Sequence, residues 1–261
     1  MSGIIIAALI VGVVGFLVAI FLSVAGKAFF VPVDEKEVAI TEALPGANCG
    51  GCGYSGCAAC AAAIAKGEAA VNACVVGQQP VADEVAKIMG VTAEAGERKV
   101  AFVHCVGDCE KTHMDYEYYG PKKCSNVKMA PGNGPKSCSY GCIGLGECVE
   151  ACEYDAIHIV NGVAKVDEEK CKDCKACMKV CPNGLITEVP YNYVSHIGCS
   201  NPEKGKPVMQ NCKVGCITCQ KCMRDCPVQA ITMDKGYPVI DYVKCTNCGI
   251  CKVGCPRNCI V

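Results

Sequence analysis

The sequence of 261 residues has no tryptophan, few aromatic residues and a formal net charge of only −1. A net charge this close to zero gives no positive field that would attract nucleic acid, so nucleic-acid binding is not indicated. No Gly-x-Gly-x-x-Gly stands between a predicted strand and a predicted helix. The sequence therefore predicts neither NAD nor flavin on this chain.

Cysteine is the residue in excess, with 27 copies. A disulfide framework suits short secreted chains, and the count here is odd with many cysteines only two residues apart. Structural zinc usually takes two separated Cys pairs. Three stretches instead carry Cys-x2-Cys-x2-Cys-x3-Cys, the pattern of iron–sulfur ligation. Iron–sulfur clusters are therefore the leading interpretation, with a zinc scaffold as the alternative.

The amino-terminal segment is apolar, with neither a charged side chain nor a proline from Ile4 to Leu22. That length predicts one transmembrane helix within an anchor of residues 1–27. A cleaved signal peptide is the alternative, but no basic residue precedes the apolar run. Because Lys27 follows it, the rest of the chain is expected on the cytoplasmic side, after a linker at 28–40.

A repeat of 74 residues organises the second half of the chain. The segments AIHIVNGVAKVD and AITMDKGYPVID correspond, and each predicts two short strands around a tight turn. Seven cysteines recur at this spacing: Cys142, Cys148, Cys152, Cys171, Cys174, Cys177 and Cys181 match Cys216, Cys222, Cys226, Cys245, Cys248, Cys251 and Cys255.

Each repeat, a loop, a hairpin and a second loop, resembles the two-cluster bacterial ferredoxin. The predicted units are 138–190 and 213–261. In that family the last cysteine of each run ligates the other cluster. The resemblance thus implies three quartets: Cys216, Cys219, Cys222 and Cys255; Cys245, Cys248, Cys251 and Cys226; and Cys171, Cys174, Cys177 and Cys152.

The fourth ferredoxin site has a gap, because Leu145 stands where a cysteine is expected. Cys142, Cys148 and, by crossing, Cys181 remain. Cys138 lies one helical turn from Cys142, and our hypothesis gives it the missing place. Two alternatives stay open. Cys138 and its repeat partner Cys212 have a common role outside this site, or the site holds a three-iron cluster on three cysteines.

A Gly-rich loop precedes the repeat, in a predicted cluster domain at 41–95. Three candidate ligands lie on this loop, Cys49, Cys52 and Cys57, and a fourth, Cys74, lies further along the chain. The segments CAACAAAIAKGEAA and PVADEVAKIMG predict helices, the second with Gly90 past its end. Cys60 lies on the first helix and is interpreted as a small buried hydrophobe.

Further cysteines lie in a connector at 96–137, where KVAFVHC predicts a strand, and in a linker at 191–212. For a sixth cluster we expect Cys105 and Cys109 plus two of the remaining candidates, which are Cys124, Cys199 and Cys212. Cys259 is interpreted as a spare. His104 and His113 are interpreted as ordinary polar residues and not as ligands.

The order of an apolar helix, the motif LPGANCGGCGYSGC and tandem ferredoxin loops resembles the B subunit of the Rnf complex, in its longer, cluster-rich form. Rnf is a membrane-bound ferredoxin–NAD oxidoreductase that pumps sodium or protons. The resemblance implies a cell-membrane subunit that accepts electrons from soluble ferredoxin and passes them to other Rnf subunits. NAD, flavin and the ion path would then belong to those partners.

The expected fold is therefore α+β: a single N-terminal transmembrane helix, a small helical cysteine-cluster domain and two tandem ferredoxin-like units, with about six [4Fe–4S] clusters. The leading function is an electron-transfer subunit of an ion-translocating oxidoreductase. A polyferredoxin subunit of a membrane hydrogenase or formate dehydrogenase is one alternative. An iron–sulfur redox sensor is another, although no effector or DNA-binding domain is apparent.

Overall fold

A computed structural model describes residues 2–28, 34–93 and 96–261. The helices are α1 Ser2–Ala28, α2 Glu35–Ala43, α3 Cys57–Ala65, α4 Gln78–Met89, α5 Cys124–Val127, α6 Glu147–Glu150, α7 Ala176–Val180, α8 Lys206–Asn211, α9 Lys221–Arg224 and α10 Ile250–Gly254. The strands are β1 Lys99–Val103, β2 Ile157–Val160, β3 Val163–Val166, β4 Ile186–Pro190, β5 Ile231–Asp234 and β6 Tyr237–Ile240, and a 3-10 turn spans Pro131–Asn133.

The predicted transmembrane helix requires a correction. The amino-terminal segment does form a helix, α1, whose side chains are described at Leu9 and at positions 12–25. Across the described part of the chain, however, no helix has the length and apolar character needed to cross a bilayer. The transmembrane element of the expected fold is therefore wrong, whereas the α+β body follows the prediction.

Three helices form the amino-terminal body. Helix α2 begins at Glu35, inside the segment expected to be a linker, with Asp34 as its N-cap. It packs on α3 and α4, and Ile40, Ile64 and Val85 meet in a core with almost no solvent exposure. Helix α4 ends at Gly90, whose φ of 72° is the left-handed conformation that glycine tolerates best.

The connector supplies a strand to the first ferredoxin-like unit. Strand β1, predicted from KVAFVHC, pairs antiparallel with β4, and Val103 lies opposite Ile186. Val100, Val189 and Ile157 share one buried core with the cysteines of that unit. The connector also contacts the linker, because Cys105 forms an isolated β-bridge with Cys199.

Both predicted hairpins are confirmed. Strands β2 and β3 pair around Asn161 and Gly162, and β5 and β6 pair around Lys235 and Gly236. All four turn residues have positive φ, as a two-residue type I′ turn requires. Each hairpin lies between two cysteine loops, so it sets the distance between the two candidate sites of its unit.

A small aromatic cluster joins the two units. The ring of Phe102, on β1, lies 4.9 Å from the ring of His196 in the linker. His196 Nδ1 is 2.7 Å from the hydroxyl of Tyr242, which belongs to the second unit. His196 is buried, so the linker is a packed element that fixes one unit against the other.

Candidate iron–sulfur centres

The second unit places its cysteines around two cavities. One cavity is lined by Cys216, Cys219, Cys222 and Cys255, and the other by Cys226, Cys245, Cys248 and Cys251. Cys259, which the sequence left as a spare, also lines the first cavity, with its sulfur 3.6 Å from Cys255 Sγ. Each set combines three cysteines of one run with the last cysteine of the other run. This is the crossed arrangement that the ferredoxin resemblance implied.

In the first unit, one set is arranged in the same way. Cys177 lies near Cys174, Cys171 and Cys152, and also near Cys148 of the adjacent site. The crossed pattern of the runs groups the first three with Cys177. The backbone N–H of Ala101, on β1, donates to Cys171 Sγ at 3.3 Å. Strand β1 therefore closes this site from the connector side.

At the site with the gap at Leu145, a cysteine of the connector lies beside the three cysteines of the runs. Cys124 lines a cavity together with Cys142, Cys148 and Cys181. Helix α5 presents Cys124, and it is held by Glu147, whose carboxylate accepts from the backbone N–H and the hydroxyl of Ser125. Cys138, which our hypothesis placed here, lies in a different cavity.

The amino-terminal set surrounds the Gly-rich loop. Cys49, Cys52, Cys57 and Cys74 line one cavity, which Cys60 also touches. Asn48 Oδ1 accepts from the backbone N–H of Cys57 at 2.8 Å and so ties the loop to the start of α3. Cys60 is 1 % exposed and packs in the core of α2 to α4.

Four of the remaining cysteines line one further cavity, and we call them the bridge set: Cys105, Cys138, Cys199 and Cys212. Cys109 is exposed and does not line this cavity, although the sequence favoured it. His104 lines the cavity, but its ring nitrogens face the carbonyl of Ile197 and the hydroxyl of Thr187.

The chemistry of these sets fits clusters. Burial raises the pKa of Cys148, Cys177 and Cys199 to about 12, so these thiols stay protonated unless a metal deprotonates them. Equivalent backbone N–H groups donate to the last cysteine of successive runs: Ala156 to Cys152 and Leu185 to Cys181 at 3.4 Å, and Ala230 to Cys226 at 3.3 Å. Such donors stabilise thiolate sulfur.

A single metal ion is a poorer match. Among the residues that the structure describes, no three His, Cys, Asp or Glu side chains converge closely enough to hold one ion. The cysteines instead stand around open cavities, as four thiolates around a multi-iron group would.

Comparison with known proteins agrees with iron–sulfur binding. Family models match at residues 44–76 ("Fe-S cluster") and at 164–187 ("4Fe-4S binding domain"). The B subunit of the Na(+)-translocating ferredoxin:NAD(+) oxidoreductase complex of Acetobacterium woodii is 43% identical, over 96% of this chain and 75% of the relative. The B subunit of the ion-translocating oxidoreductase complex of Methanosarcina acetivorans is 38% identical, over 94% of this chain and 93% of the relative.

The chain belongs to the B-subunit family of Rnf-type ion-translocating oxidoreductase complexes. A third member, the B subunit of the proton-translocating ferredoxin:NAD(+) oxidoreductase complex of Clostridium ljungdahlii, is 34% identical over 100% of this chain and 93% of its own length. Membership of this family and the two family models make the chain an iron–sulfur protein.

Sequence reasoning missed the place of Cys124. A signal was present, because a ferredoxin run that lacks one ligand requires a donor from elsewhere. Spacing alone favoured Cys138, which is near in sequence. The fold favours Cys124, because the connector folds back over the loop that contains Leu145.

Proposed function

We propose that the chain is the iron–sulfur electron-transfer subunit of a ferredoxin:NAD⁺ oxidoreductase that translocates ions. About six [4Fe–4S] clusters would supply one-electron transfer. The observation that carries this proposal is that five quartets of cysteines each line a separate cavity, while a sixth quartet gathers around Cys177. Three cysteines remain outside these quartets: Cys60, Cys109 and Cys259.

We assign five quartets by the cavities that they line together with the cysteine runs, and the quartet around Cys177 by the crossed pattern of its run. The quartets are Cys49, Cys52, Cys57 and Cys74; Cys152, Cys171, Cys174 and Cys177; Cys124, Cys142, Cys148 and Cys181; Cys216, Cys219, Cys222 and Cys255; Cys226, Cys245, Cys248 and Cys251; and the bridge set. We keep the domain boundaries predicted from the sequence, except that we assign α2, which packs on α3 and α4, to the amino-terminal cluster domain.

The order of the sites supports a relay. The amino-terminal loop lies against the first unit, because a Cβ on Gly51 would stand 3.1 Å from the carbonyl oxygen of Cys174. Cys49 and Cys174 interact electrostatically, which brings their two sites close together. Cys148 and Cys177 interact in the same way inside the first unit. Neighbouring sites along such a row suit electron transfer.

Soluble reduced ferredoxin is the proposed electron donor, and other Rnf subunits are the proposed acceptors. Residues 213–261 contain seven Lys and Arg but only three Asp, and most of these basic side chains are exposed, which favours an anionic redox partner. Reduction of NAD⁺ and passage of ions are assigned to the partner subunits, which form the membrane part of the complex. The free thiols needed for cluster assembly favour the cytoplasmic side.

Rapid mixing tests this proposal. Anaerobically purified protein is mixed with reduced ferredoxin, and the cluster absorbance is followed in a stopped-flow instrument. We expect bleaching that transfers several electrons per chain, and reoxidation by the isolated partner subunits. If dithionite bleaches the clusters but reduced ferredoxin does not, the proposed donor is wrong.

A further inference from the structure

The bridge set is assembled from both halves of the chain. Cys105 comes from the connector, Cys138 begins the first unit, and Cys199 and Cys212 lie in the linker. Cys138 and Cys212 are 74 positions apart, so they are repeat partners. Cys105 and Cys199 face each other across a β-bridge. The cavity is therefore lined by one pair of repeat partners and by one pair that faces across a β-bridge.

Backbone donors connect the bridge set to both ferredoxin-like units. The N–H of Cys142 donates to Cys105 Sγ at 3.3 Å. The N–H of Cys216 donates to Cys199 Sγ, also at 3.3 Å. Cys142 and Cys216 are themselves repeat partners, and each lines a candidate site in its own unit. The bridge set is thus connected to the Cys142 site through the peptide N–H of Cys142, and to the Cys216 site through the peptide N–H of Cys216.

A buried cation accompanies this cavity. Lys136 lines it and is only 6 % exposed. Its ammonium donates to the carbonyl oxygens of Cys142 and Gly162. Lys136 forms no ion pair with a carboxylate of the described residues. Because a buried charge is costly without a counter-charge, an anionic group in the cavity would explain the position of this lysine.

Two further features fit an anionic, bulky occupant. Asn201 is 2 % exposed, and its amide nitrogen lies 3.8 Å from Cys138 Sγ. A Cβ on Gly107 would stand 3.0 Å from Cys212 Sγ, and one on Gly141 would stand 3.5 Å from the sulfurs of both Cys105 and Cys138. A side chain at Gly107 would therefore crowd Cys212 Sγ, whereas one at Gly141 would make an ordinary contact with the sulfurs.

We propose that Cys105, Cys138, Cys199 and Cys212 bind one [4Fe–4S] cluster that joins the two ferredoxin-like units. This inference rests on the proposed electron-transfer function and deepens it. The cluster would take up one electron from one unit and release one electron to the other, without a proton. Neither family model covers these four cysteines, because the models match at 44–76 and 164–187.

Two variants test the proposal: one removes a pair of the four ligands, and the other fills the cavity. The first variant is Cys138→Ala combined with Cys212→Ala, and the second is Gly107→Val, which keeps all four ligands but occupies their space. Cys109→Ala is the matched control, because Cys109 is exposed and lies four residues from Cys105. Iron, acid-labile sulfide and the electron paramagnetic resonance spectrum of the reduced full-length protein are measured.

We expect both variants to lose about four irons of ~24 per chain, with the other cluster signals retained, and the control to lose none. Unchanged iron in the double alanine variant would overturn the proposal and leave the electron-transfer function standing. If that variant does not fold, an anomalous-difference map at the iron edge from wild-type crystals decides. A peak enclosed by the four sulfurs supports the proposal, and no peak there refutes it. Wild-type protein without any iron would instead refute the proposed function.

Discussion

The two ferredoxin-like units have the same hairpin and the same cysteine register but opposite charge. Residues 138–190 contain five Lys against nine Asp and Glu, a formal charge of −4. Residues 213–261 contain seven Lys and Arg against three Asp, a formal charge of +4. A fold defined by its cysteines leaves surface charge free to vary, so the two units can face different partners.

The units also differ in how they are covered. The first takes a strand, β1, and a cysteine, Cys124, from the connector. None of the cysteines between 138 and 190 is exposed, whereas Cys219 and Cys248 in the second unit are exposed. Solvent exposure is one of the factors that set cluster potential. The comparison therefore suggests an interior role for the first unit and a contact role for the second.

The largest expected effect comes from removing the two equivalent ligands. Cys124→Ala and Cys219→Ala each take the fourth thiolate from one site, so each should lose one cluster or convert it to a three-iron form. Only Cys124→Ala should also loosen the connector, because Cys124 is buried on α5.

Iron analysis and limited proteolysis near residue 124 measure these two effects, with Cys109→Ala as the control. Full iron content in Cys124→Ala would contradict the assignment of Cys124. If Cys138→Ala gave the three-iron signal of the Leu145 site, the hypothesis drawn from sequence spacing would regain support.

The second-largest effect is expected at a glycine of the first unit whose repeat partner in the second unit is a threonine. Gly144 has a φ of 84°, and a Cβ there would stand 2.4 Å from the carbonyl oxygen of Gly162. Its repeat partner is Thr218, which adopts a φ of 59° with a side chain in place. Gly144→Ala should cost about 3 kcal/mol, whereas Thr218→Ala should cost about 1 kcal/mol or less. Thermal loss of cluster absorbance measures both, and equal shifts would contradict the close approach.

The junction between the units should respond to pH. Burial lowers the pKa of His196 to about 4, and Tyr242, His104 and Lys252 are the titratable groups around it. Because the folded-state pKa is below the ordinary value of about 6.5, the unfolded chain binds more protons between these values. Stability from neutral His196 is complete above pH 6.5 and is lost as the pH falls toward 4.

His196→Gln should remove about 2 kcal/mol of this pH dependence. Thermal stability at pH 7 and pH 5 measures it, with His158→Gln on the exposed face of the first hairpin as the control. A pH dependence in His196→Gln that matches the wild type would show that other groups govern the junction.

The smallest effect concerns the opposite charges. Lys221→Glu combined with Lys244→Glu, on the exposed surface of the second unit, should slow reduction by ferredoxin about tenfold at low salt. Lys172→Glu combined with Lys179→Glu makes the matched change in the first unit and should have little effect. Stopped-flow rates at two ionic strengths measure the difference. Equal slowing by both pairs would remove the proposed contact role of the second unit.

Part of this arrangement could be predicted from sequence. The hairpins followed from local signals such as Asn161-Gly162, and the complete runs followed from cysteine spacing. The bridge set did not, because Cys105 and Cys199 meet only after β1 pairs with β4, a long-range pairing without a local signal. Cys124 was missed for the same reason. The transmembrane prediction rested on apolar length alone.

Iron and sulfide per chain test the central claim most directly. We predict ~24 iron and ~24 acid-labile sulfide in the anaerobically purified wild-type protein, from six four-iron clusters. About half that iron, or zinc in stoichiometric amounts, would contradict the six-cluster assignment.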